Sequence, residues 1–132
     1  MGVFNDIQNA LNTKLNSISG SLPAIFWPNT QKEPTKNVDY IRPTLLPAST
    51  ELYTLNAGDY HQGIYQVDIF VQLNKGTSAA LVIADQIRTL FRRQSLVSGT
   101  TIVHTQNISM SQAQRDEGWW HVFVEVNYLS VA

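Results

Sequence analysis

The chain has 132 residues, nine Lys and Arg against ten Asp and Glu, and no cysteine. That length suits one domain over residues 1–132, able to bury roughly two-thirds of its unfolded surface without a disulfide or a metal. A net charge of −1 excludes a general binder of phosphate backbones, the absent thiols exclude thiolate metal sites, and a charged fraction of only 14% calls for neutral polar surface or a covering partner.

Phe4, Ile7, Leu11, Leu15 and Ile18 recur at spacings of three and four, which predicts a helix over Val3 to Ser17. This start carries Asp6 and lacks the basic opening and unbroken apolar run of a signal peptide, so folding in the cytoplasm is expected. No run of ~20 apolar residues follows anywhere, so no membrane span is expected. Ser19-Gly20-Ser21 and Pro23 stop the helix. Ala24 to Trp27 reads as a short strand closed by Pro28 and Asn29, and the polar stretch Asn29 to Asp39 as an exposed loop.

Tyr40 to Ala48 is apolar but holds Pro43 and Pro47, which confines it to a sheet edge or an irregular extended segment. Glu51 to Asn56 extends it past a bend, and Asn56 to Asp59 has turn chemistry around Gly58. Tyr60 to Leu73 is the clearest strand. Tyr65, Val67, Ile69, Val71 and Leu73 fall on one face, and Ile64, Gln66, Asp68, Phe70 and Gln72 on the other. Asn74-Lys75-Gly76 turns the chain into a helix capped by Thr77 or Ser78 and running to Arg93. Leu81, Ala84, Ile87, Leu90 and Phe91 form its expected buried stripe, widened by Val82 and Ile83, and Arg88, Arg92 and Arg93 suit its C-terminal dipole. Thr100 to Met110 and Gly118 to Val131 read as strands joined by the polar loop Ser111 to Glu117. The short connections make the sheet mainly antiparallel, so the expected fold class is α+β with two helices packed on one face.

Chemistry-bearing patterns are sparse. His61, His104 and His121 have no metal-ligand spacing, and no Gly-x-Ser-x-Gly elbow or Walker glycine spacing is present. Asp68 and Glu125 are placed to pair across strands, but solvated positions on a half-exposed face account for them better. No catalytic residue, metal site or cofactor is expected, and the chain reads as an assembly protein rather than an enzyme. Adjacent Trp119 and Trp120 must point to opposite faces of their strand, one to the core and the other to a covering loop or a neighbouring subunit. On that mixed face Ile64, Phe70 and Trp119 are the expected subunit interface.

Five segments taken in order carry a family resemblance. They are Ile25-Phe26-Trp27-Pro28-Asn29, Tyr40-Ile41-Arg42-Pro43-Thr44-Leu45-Leu46-Pro47, His61 to Phe70, Ala84 to Phe91, and Gly118-Trp119-Trp120-His121-Val122. Together they resemble the small tail terminator (tail completion) proteins of bacteriophages with long non-contractile tails, the siphophages. The resemblance implies a ring, usually a homohexamer, that caps the tail tube, ends its polymerisation and offers a head-joining surface. The implied partners are further copies of the chain, the tail tube protein and a head–tail connector or neck protein. DNA would pass through the ring without specific binding. In such a ring Arg115, Asp116 and Glu117 would line the lumen or touch the tube. The implied location is the head-proximal end of the tail in the virion, after assembly in the host cytoplasm. Another neck or tail-tube component is the nearest alternative. A small ligand-binding domain or enzyme, with a pocket between helices and sheet, is the alternative from a different class.

Overall fold

The computed structural model describes residues 2–29, 38–52, 59–74 and 76–131. Its elements are α1 (Val3–Asn16), a 3-10 turn (Ser19–Ser21), β1 (Ala24–Ile25), β2 (Tyr40–Leu52), β3 (Asp59–Gln72), α2 (Ser78–Phe91), β4 (Ser95–Ser98), β5 (Thr101–Met110), β6 (Gln114–Asp116) and β7 (Trp119–Val131). The strands form one sheet in the order β1-β2-β3-β7-β5-β4, with β6 also on β7. Among the described strands only β1 and β2 run parallel, so the chain is α+β with a curled, mostly antiparallel sheet.

Period-two alternation explains the core. Tyr65, Val67, Ile69 and Val71 of β3 lie opposite Val126, Val124, Val122 and Trp120 of β7. They join Ile7, Leu11 and Leu15 of α1 and Ile83, Ile87 and Phe91 of α2 in one buried cluster. Phe4 and Ile18, counted on the α1 stripe by spacing, do not join it: Phe4 is 51% exposed and lies edge-on to the buried His61, and the helix ends before Ile18. In α2 the stripe is also rotated from its expected phase. Ala80 is buried, whereas Leu81 and Val82 are exposed, and Val82 lines an open groove of about 470 Å³ with Ile18 and Leu90.

Polar side chains pin the helices to the sheet. Asp6, buried in the first turn of α1 where the helix dipole favours an anion, accepts from Thr101 Oγ1 at 3.1 Å. The α2 helix stops at Phe91, not Arg93, for a local reason. Thr105 Oγ1 donates to the Phe91 carbonyl and accepts from Gln94 N at 2.8 Å, while Arg92 turns extended and Arg93 takes φ 53°. At the other end of α2 Thr77 makes no side-chain capping bond. The strand β4, which has no alternating run long enough to reveal it, follows this stop.

The edge strand carries its prolines as expected. β2 pairs with β3 throughout, with a bulge between Pro47 and Ser49, whereas β1 reaches only Tyr40 and Ile41. The short strand expected from Ala24 to Trp27 is therefore only two residues long. Most of the loop expected from Asn29 to Asp39, the turn around Gly58 and Lys75 fall outside the described residues.

Tyr65 shows how α1 is fastened to β3. Its hydroxyl donates to Asn12 Oδ1 at 2.5 Å, and burial pushes the phenol well above its ordinary value. Tyr65→Phe leaves the Asn12 carbonyl oxygen without this donor and is expected to cost about 1–2 kcal/mol in denaturant unfolding. The pH dependence has a definite sign. The folded phenol holds its proton above the unfolded value, so the wild type loses stability as pH rises past about 10. Unfolding midpoints at neutral and alkaline pH check this: Tyr65→Phe flattens the loss, leaving the parts due to Tyr128 and Tyr40, whose phenols are also raised by burial.

Candidate assembly surface

The face of the sheet turned away from the core cluster carries a connected group of aromatic and charged side chains. Cross-strand register sets Tyr40 of β2, Phe70 of β3 and His121 of β7 in one row. Their rings stack in series, with centroids 4.6 Å apart for Tyr40 and Phe70 and 4.5 Å for Phe70 and His121. Phe26 and Trp119 both meet Tyr40 edge-on at 5.2 Å, the geometry that aromatic quadrupoles favour. The Arg42 guanidinium lies 5.8 Å from the Tyr40 ring centroid and 5.9 Å from that of Phe70, within cation–π range. Burial raises the Tyr40 phenol, Arg42 opposes that shift, and Asp116 and Asp68 add to it.

His121 joins this stack to two carboxylates. Its Nε2 lies 2.9 Å from Asp68 Oδ1, and its Nδ1 lies 3.7 Å from Asp116 Oδ2. Gln66 Nε2 donates to the same Asp68 oxygen at 3.0 Å. Asp68 therefore pairs with His121; Glu125 stands opposite Gln66 in the register. A His–Asp pair suggests a general base, but the second imidazole nitrogen faces a carboxylate where a hydroxyl or thiol nucleophile would have to be. The arrangement ties side chains of β3, β6 and β7 together. Among the described residues no group of three or more His, Asp or Glu is placed to hold a metal, and no helix is long and apolar enough to cross a membrane.

The residues singled out by sequence are distributed unevenly. Phe70 and Trp119 meet through Tyr40, but Phe70 is only 8% exposed, held between Tyr40 and His121. Ile64 lies six residues away along β3, about 20 Å. There it lines a separate groove with Gln62, Asn107 and Asn127. Arg115 and Asp116 are in β6, a strand where a loop was expected, and Glu117 follows in the turn to β7. Glu117 and Gly118 take φ 46° and 88°, the two positive values of a tight hairpin turn, so the Glu-Gly pair makes this arm. Arg115 and Glu117 are exposed, and Asp116 turns back towards His121. Tyr40, Arg42 and His121 were missed as members of the surface. The available signal was the odd-numbered alternation of Trp119, His121 and Phe123, which puts the histidine between two aromatic side chains on one face.

Comparison with solved structures finds nine matching chains, and two of them share the fold over nearly the full length. One, without a descriptive name, is 25% identical, with a TM-score of 0.76 over 96% of this chain and 94% of its own. The other, from the virion of a native gene transfer agent particle, is 13% identical, with a TM-score of 0.72 over 99% and 98%. Comparison with curated proteins finds no match. The family model for phage tail terminator proteins matches residues 6–128. That match runs from the first turns of α1 almost to the end of β7, and the chain belongs to the phage tail terminator protein family.

Proposed function

We propose that this chain is a structural protein of a siphophage virion that forms a ring, a homohexamer, on the head-proximal end of the tail tube. The ring ends tube polymerisation and presents the surface that a head–tail connector or neck protein joins. The whole chain, residues 1–132, acts as one domain, and its role requires no catalysis and no cofactor. The observation that carries this reading is the family match across residues 6–128. The gene transfer agent likeness supports the same kind of particle and hence a virion location after assembly in the host cytoplasm.

The geometry supports a ring. A cyclic ring joins two different patches head to tail. In this reading both helices shield one face of the sheet and the aromatic face supplies one patch, with Trp119 and Ile64 at its accessible positions and Phe70 as its support. The open groove formed by Ile18, Val82 and Leu90 supplies the other. The arm residues Arg115 and Glu117, with Asp116 behind them, reach the lumen or the tube. A charge of −1 leaves DNA free to pass without being held.

Electron microscopy of particles from a phage genome lacking this gene tests the reading. Overlong or unjoined tails beside DNA-filled heads are the expected result. Normal tails joined to heads would overturn it. Purified chain that grows into long tubes unaided would indicate a tube component instead.

A further inference from the structure

We propose that His121 is a proton-operated latch that holds the β6–β7 arm against the sheet. The idea stands on geometry within one subunit and does not depend on ring formation. Both imidazole nitrogens face carboxylate oxygens: Asp68 of β3 at 2.9 Å and Asp116 of β6 at 3.7 Å. A neutral imidazole has one N–H, so it serves one carboxylate and turns a lone pair towards the other. The imidazolium carries an N–H on each side, so it donates to Asp68 and attracts Asp116 across the longer gap.

The surroundings make this a latch on one side only. Asp68 is 14% exposed and keeps a second donor in Gln66, so that side of the histidine stays fixed. Asp116 is 47% exposed, at the longer distance, and on a three-residue strand. The parallel stack on Phe70, 4° between planes, and the contact with Phe123 hold the ring plane. Among the described residues the charged and titratable groups around the imidazole are Asp68 on β3, Asp116 on β6, and Arg42 and Tyr40 on β2, with Glu125 farther along the same face of β7. Arg42 lies against the Phe70 ring, and two carboxylates lie at the nitrogens. Loss of the imidazole proton removes the attraction for Asp116 first. The arm then loosens, and with it the positions of Arg115 and Glu117.

Amide hydrogen exchange on the full chain, corrected for intrinsic rates, tests this between about pH 5.5 and about pH 8. In the wild type, protection of Gln114 to Asp116 is expected to fall about threefold with rising pH, a size suited to a part-exposed ion pair. Amides at the centre of β3 should not change. Asp116→Asn keeps the shape, removes the charge and is expected to abolish the pH dependence at the arm. A wild-type arm that is insensitive to pH, or an Asn variant that keeps the wild-type response, would overturn the latch. If that variant does not fold, the wild-type carboxyl shift of Asp116 decides by NMR: it must move with the His121 ring titration, and independent curves would overturn the proposal.

Discussion

Gly63→Ala is expected to lower the free energy of unfolding by about 3 kcal/mol. The position is inside β3, between β2 and β7, opposite Pro47 on one side and Tyr128 on the other. A Cβ added there would lie 2.5 Å from Tyr128 Oη and 2.6 Å from the Leu46 carbonyl oxygen. The tyrosine is 1% exposed and has little room to swing aside. The carbonyl is backbone in a paired strand, next to the bulge at Pro47 and Ser49, so it yields only by shifting that pairing. Gly20→Ala is the control, because nothing lies within 4 Å of its added Cβ, and its effect should stay within about 0.5 kcal/mol. Urea unfolding of the two variants measures the contrast. A Gly63→Ala cost close to that of the control would mean that the close approach of β2 over β3 is not a real constraint.

Phe91→Ala is expected to cost about 3–5 kcal/mol, the range for emptying a fully buried aromatic site. Phe91 is the last residue of α2, is fully buried and packs its ring against Tyr65, with centroids 5.7 Å apart. Its carbonyl also receives the Thr105 hydroxyl, which ends the helix and leads into β4. Truncation therefore opens a cavity where α2, β3 and β5 meet. Thr105→Val separates the two contributions, because it removes the hydroxyl and leaves the aromatic ring. A smaller loss, about 1–2 kcal/mol, is expected there. Equal losses in the two variants would assign the stability to the cap and not to the packing.

The parts of the fold that were legible were those with long periodic runs. The alternation from Tyr60 to Leu73 fixes which face of β3 is core, and the prolines of β2 correctly mark an edge. The strands β4 and β6 were illegible because four and three residues carry too little pattern. The rotation of α2 was hidden for another reason. Ala80 through Ala84 is entirely apolar, so periodicity alone does not choose which of Leu81, Val82 and Ile83 turns inward. The site divides in the same way. Phe70 and Trp119 share a face by counting along their strands. That Tyr40 bridges them, and that His121 collects Asp68 and Asp116, depends on cross-strand register, which two separate runs do not specify.

The edge of β2 bears on how the chain behaves at high concentration. Among the described residues no strand pairs with the outer side of β2 beyond Ile41, and Pro43 and Pro47 each delete a backbone donor along that stretch. An incoming strand would meet gaps four residues apart, where a fibril template needs a continuous row of donors. The described edge is therefore a poor nucleus for fibrillar growth, even while it stands uncovered.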